Sequence, residues 1–184
     1  YQRIEYNSGY SFLPQSNLNK FDVAESSLEF IWNIREKTML LGDQRISKGT
    51  VFPKIQLKLT QAWKGVYESN YNYTRLFAEI QQSFPIRGAG KFNWSMVASK
   101  TLGAVPLTFL NAGIATGRNW NLSVINTFET MAPSTFYTDQ QLALFTRFEF
   151  NSIKTKAKWN EPQFALHHAA GVGSMNNQLD HSVA

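Results

Sequence analysis

No cysteine occurs in the 184 residues. That excludes a disulfide framework and a thiolate metal site, although it separates no compartment from another. Also missing is any apolar run approaching the roughly 18 residues of a membrane helix. Helical periodicity is scarce throughout. Dense basic runs are lacking too: 18 Lys and Arg stand against 13 Asp and Glu, a net charge of +5, but they are spread along the chain. With no nucleic-acid motif beside them, nucleic acid is not an expected partner. No apolar signal segment is present and the first residue is Tyr1, so the sequence reads as a mature chain or a fragment of a longer one.

What is present is strand periodicity, punctuated by turn chemistry. In "GKFNWSMVASK", residues 90–100, Phe92, Trp94, Met96 and Ala98 alternate with Asn93, Ser95, Val97 and Ser99. Similar alternation runs over 1–12, 22–35, 52–64, 70–84, 119–128, 138–150 and 162–174, about eight long strands in all. Three longer links separate some of them, at 36–50, 101–118 and 152–161. The second, with "LGAVPLTFLNAGIATG", is too apolar for an idle surface loop and suits a plug or a docking segment.

Alternation is shared by soluble sandwiches and membrane barrels, so other features must decide. The strands run to about 10–14 residues, whereas a tilted membrane strand needs about 9–11 and soluble strands average about 5–6. Aromatic residues Trp63, Tyr67, Tyr71, Tyr73, Trp120, Phe136, Tyr137 and Trp159 fall near strand ends, as interfacial girdles do. One row on each strand is nearly free of charge. Leu28, Phe30, Trp32, Ile55, Leu57, Leu59, Phe92, Trp94, Met96, Leu142 and Leu144 are therefore expected to face lipid. Arg35, Lys54, Lys58, Arg75, Lys91, Arg147, Glu25, Glu29, Glu79 and Glu149 are expected to face a lumen. Mixed signs across neighbouring strands suit a paired interior. The alternatives are a soluble calycin-like barrel for an apolar ligand and a small anion-selective pore.

Sites with obvious chemistry are few. His167 and His168 are adjacent, so on a strand they point to opposite faces and cannot chelate together. His168 and Ser174 share a face, but six residues at about 3.3 Å each put them about 20 Å apart, beyond hydrogen-bond reach. No GxSxG is present. Gly88 and Gly90, like Gly171 and Gly173, open no helix and lack the Lys-Ser/Thr of a phosphate loop; they suit kinks in a curved sheet. No catalytic residue, cofactor or metal is expected.

Three stretches carry a resemblance: "RISKGTVFPKIQLKLTQAWKG", "NYTRLFAEIQQSFPIRGAGKFNWSMVASKTLGAVPLTFL" and "FETMAPSTFYTDQQLALFTRFEF". Pro53 with its following strand, "GAVP" at Gly103 to Pro106, and "FETM…F…D" at Phe128 to Asp139 match best. Over nearly its whole length, and most specifically from about Arg45 onward, the chain resembles the C-terminal barrel of Bacteroidota outer-membrane proteins that carry an N-terminal carboxypeptidase-like regulatory domain. Three departures stand out, the first being that the sequence shows no regulatory domain. "APSTFYTD" replaces a more acidic or asparagine-bearing turn, and the chain stops at "DHSVA" rather than on an aromatic closing strand. The resemblance implies an antiparallel transmembrane β-barrel over 1–184, part of a larger barrel, in a bacterial outer membrane. It also implies lipid or lipopolysaccharide around the wall, other outer-membrane proteins as partners, and a scaffold or accessory role in an envelope transport or membrane-assembly complex. It brings no catalytic motif.

Overall fold

The computed structural model describes residues 2–5, 20–36, 38–47, 52–106, 109–113, 115, 126–128, 131, 136–153 and 161–176. Those residues form twelve strands: β1 (Gln2–Glu5), β2 (Lys20–Val23), β3 (Glu25–Asn33), β4 (Thr38–Leu41), β5 (Gln44–Ser47), β6 (Lys54–Ala62), β7 (Thr74–Ile86), β8 (Gly90–Leu102), β9 (Asn111–Ala112), β10 (Tyr137–Thr138), β11 (Gln140–Phe150) and β12 (Ala165–Ser174). A single 3₁₀ turn, Val66–Glu68, is the one helical element among them. The protein is all-β.

Six strands make the main sheet, in the order β12-β11-β8-β7-β6-β3, every pairing antiparallel. The β7–β8 hairpin is the longest unit, 13 residues on each side. Its turn is Arg87–Gly88–Ala89, with Gly88 left-handed at φ 80 and the Ala89 amide donating to the Ile86 carbonyl at 3.1 Å. A glycine in that position is what a short hairpin loop requires. The smaller sheets are the hairpins β1–β2 and β4–β5 and the pair β9–β10. Among the described residues the six-stranded sheet is open, with β3 and β12 at its edges, so no closed barrel is formed.

Strands expected over 22–35, 52–64, 138–150 and 162–174 are observed with trimmed ends, and that expected over 70–84 is shifted to 74–86. The link at 36–50 holds the β4–β5 hairpin, joined at Gly42–Asp43. Of the strand expected over 119–128, only 126–128 are described. They form a turn, with Asn126 at φ 63 and Phe128 in an isolated parallel bridge to Ala115. Residues 6–12 of the first expected strand, and Trp120 and Trp159, lie outside the described residues.

The core lies on one face only. Val23, Ala62, Tyr73, Val105, Phe109 and Leu110 form one buried cluster, flanked by Tyr71 and Tyr137. Val97, Ala143 and Phe145 form a second, flanked by Phe77 and Phe128. Segments from the long connection after β8 thus lie across that face. Burying a side chain such as Phe109 there contributes about 1.5–3 kcal/mol.

Candidate functional site

The register aligns side chains into rows across the sheet. Phe30, Leu57, Ala78, Ala98, Leu142 and Val172 are cross-strand partners in one row, and Trp32, Ile55, Ile80, Met96, Leu144 and Ala170 in the next. Because neighbours along a strand alternate faces, both rows lie on the same side. That side is bare: Leu28, Phe30, Trp32, Leu57, Leu59, Leu76, Met96, Leu142, Leu144 and Val172 are all exposed. Lys100 is the one Lys, Arg, Asp or Glu that the six strands place there.

Polar residues bound this apolar face at one end. Ser26, Gln61 and Thr74 form its limit on β3, β6 and β7. On β8, β11 and β12 the limit moves inward by two residues, to Lys100, Gln140 and Ser174. Gln140 donates to Ser174, Thr74 to Gln61 at 2.5 Å, and the Trp63 indole N–H to the Ser26 hydroxyl at 2.8 Å. At the other end the apolar residues stop at Trp32 and Ile55 on β3 and β6. They continue to Ile86, Phe92, Phe150 and Leu166 on β7, β8, β11 and β12. The band therefore runs diagonally across the strands. One polar row, Gln82, Trp94, Thr146 and His168, crosses it, and there the Trp94 indole N–H donates to Gln82 at 3.2 Å.

The opposite face carries Glu25, Glu29, Lys54, Lys58, Arg75, Glu79, Lys91, Arg147 and Glu149. Its centre is covered: Ser95, Ser99 and Thr101 are buried there beside Val97, Ala143 and Phe145. Arg75 donates to the Phe109 carbonyl and lies over the Tyr73 ring, and the Tyr73 hydroxyl donates to Glu25. The Ser95 hydroxyl donates to Glu79 at 2.8 Å and Gln56 to Glu29 at 2.5 Å. Near the β7–β8 turn a cavity of about 310 Å³ opens among Lys54, Gln81, Ser83, Lys91, Asn93, Ser95, Arg147 and Glu149. Phe52, Gln82, Trp94 and Asn126 complete its lining.

Compared with known proteins, the chain matches one family over residues 4–159, the C-terminal domain of a family of unknown function, DUF5686. The chain belongs to that family. No curated protein and no solved structure matches it. The DUF5686 C-terminal domain is therefore met here as a sheet with one apolar and one charged face, and its family description assigns no activity.

Several residues of this DUF5686 domain sit elsewhere than their sequence pattern suggests. Arg35 lies past β3, in a turn at φ 48, with its guanidinium 5.2 Å from the Phe52 ring centroid, so it is no member of the strand row. Tyr73 is only 2% exposed and belongs to the core, and Tyr71 and Tyr137 pack against it. These three are not girdle residues. Tyr73 shares the face of Arg75, so it projects inward. Trp63 and Tyr67 do stand exposed at a strand end. The two histidines lie on opposite faces of β12, His168 beside Thr146 and His167 beside Arg147, and both are exposed.

The residues that sequence reading missed are the apolar interruptions of the charged face. Phe77, Val97, Ala143 and Phe145 break its polar rows, and Phe128 packs edge-on to Phe145 with centroids 5.1 Å apart. That break in alternation was the available signal for where a covering segment seats. Gly171 lies under the same ring: a Cβ there would sit 2.7 Å from Phe128 Cζ.

Proposed function

We propose that this domain is a stretch of transmembrane β-barrel wall in a bacterial outer membrane, with the apolar face against lipid or lipopolysaccharide and the charged face toward the lumen. The observation that carries this reading is the inversion of the sheet: the face of Leu57 and Met96 is exposed, while the centre of the opposite face, at Ser95 and Ser99, is buried. A water-soluble sheet buries its apolar side, and a calycin-like binder would turn these rows toward its ligand.

Dimensions support the proposal. On β7 the band from Leu76 to Ile86 spans ten residue steps, about 33 Å along the strand at about 3.3 Å per step, and a tilt of about 40° makes that about 25 Å of depth, the height of a barrel's apolar band. The diagonal course of the band is what strand tilt produces, because a membrane plane then crosses successive strands at shifted residues. The Trp63 indole bonded to Ser26 at the polar limit fits an interfacial anchor. Closure requires further strands beside β3 and β12, since unpaired edges are not tolerated in hydrocarbon.

In this reading the domain anchors a periplasmic regulatory domain carried ahead of it, and serves as a scaffold or accessory subunit of an envelope transport or membrane-assembly complex in Bacteroidota. It is not an enzyme. The test is tryptophan fluorescence of the purified protein in vesicles whose acyl chains are brominated. Quenching of Trp32 and Trp94, compared by single Trp→Phe variants, supports lipid contact. Unquenched emission, with the protein remaining in the aqueous phase without detergent, overturns it.

A further inference from the structure

The cavity beside the β7–β8 turn holds an imbalance of charge. Lys54, Lys91 and Arg147 line it against one carboxylate, Glu149. Glu149 lies 2.8 Å from Arg147 Nε and stands opposite Lys91 in the register. That Nε is close enough for an ion pair but is not aligned as a hydrogen bond, and it remains a buried donor with no acceptor among the described residues. The cross-strand neighbours of Lys54 are Asn33 and Gln81, both neutral.

From this geometry we infer that the cavity is a binding site for a phosphate monoester. Three cations less one carboxylate leave a surplus of two positive charges, and a phosphate monoester carries about −1.5 to −2 at neutral pH with three strong acceptor oxygens. A carboxylate or a phosphodiester would neutralise only half of it. Asn93 supplies a neutral donor on the floor, and charge-assisted contacts from Arg147 and the lysines would be the strong ones. The volume, about 310 Å³, is at the lower end of the roughly 300–1,000 Å³ of ligand pockets, so it admits one headgroup-sized anion and no polymer. Asn126 closes one side, held by the packing of Phe128 on Phe145. The inference rests on the charged residues that line the cavity, all of them on the charged face, and not on what the apolar face meets.

The test uses the purified protein in detergent, titrated calorimetrically with inorganic phosphate and with glycerol 3-phosphate against chloride at equal ionic strength. Vesicles containing phosphatidic acid form a separate arm. Saturable binding that weakens about tenfold in Lys54→Gln, in Lys91→Gln and in Arg147→Gln, and recovers in part in Arg147→Lys, supports the site. Binding of the soluble esters identifies a free metabolite as its ligand, and binding of phosphatidic acid alone identifies a lipid headgroup. The exposed Lys91 keeps the result readable if an Arg147 variant misfolds. Equal response to phosphate and chloride, or unchanged affinity in the folded lysine variants, overturns it.

Discussion

Ser95 and Met96 are consecutive on β8, yet Ser95 is 1% exposed and Met96 is 38% exposed. The hydroxyl is buried and bonded to Glu79; the thioether is bare. The lipid contact proposed above accounts for that arrangement.

Met96→Arg therefore separates lipid from water. Facing hydrocarbon, the arginine lowers stability by about 2–4 kcal/mol. Facing water, a surface substitution stays within about 0.5 kcal/mol. Denaturant unfolding of both proteins in phospholipid vesicles measures the difference, and a near-zero value contradicts the proposed lipid contact.

Two glycines with positive φ differ in their surroundings. Gly65, at φ 83, has nothing within 4 Å of an added Cβ, whereas Gly103, at φ 110, would put a Cβ 2.8 Å from the Asn72 carbonyl oxygen. Gly65→Ala is expected to cost about 1–2 kcal/mol of backbone strain. Gly103→Ala carries the clash as well and is expected to lower the unfolding midpoint further. Comparable losses in the two variants would show that the Asn72 contact relaxes freely.

The Tyr73 hydroxyl bonded to Glu25 ties the entry to β7 to the start of β3, two strands that are not sheet neighbours. Tyr73→Phe keeps the ring in its cluster and removes only this link. The expected cost is about 1 kcal/mol, because Glu25 can return to water. A Glu25→Gln, Tyr73→Phe double-mutant cycle with a coupling near zero would remove the bond from the account.

Burial raises the pKa of Tyr71 above its ordinary 10.0. Its phenol is harder to ionise in the folded chain than in the unfolded one. Between those two pKa values the folded state binds more protons, so stability is full below about pH 10 and falls as pH rises through the folded value. Tyr71→Phe is expected to flatten that alkaline loss, read from unfolding midpoints between pH 9 and 12; an unchanged slope assigns the loss to other groups.

The strands of the main sheet could be read from sequence because period-two alternation is a local property. Rows such as Lys54, Gln56, Lys58 opposite Ile55, Leu57, Leu59 need no knowledge of neighbours. Which residues fill the covered face could not be read so easily. Val105, Phe109 and Leu110 meet Val23 and Ala62 only through folding of a long connection, and nothing in their spacing names those partners. Tyr73 illustrates the same limit: a tyrosine just outside a strand suits an interfacial belt, but its parity with Arg75 sends it inward. The cavity assembles Lys54 from β6, Lys91 from β8 and Arg147 from β11, so its charge surplus exists only once the register is fixed.

In the main sheet each strand lies beside the one that precedes or follows it among the six, from β3 through β6, β7, β8 and β11 to β12. Such a ribbon can be assembled like a zip, one hairpin after another, with no segment threaded through a finished part. It can also gain or lose a hairpin at either margin without rewiring what remains. Sheets with different numbers of strands are then reachable by simple duplication or deletion of hairpins.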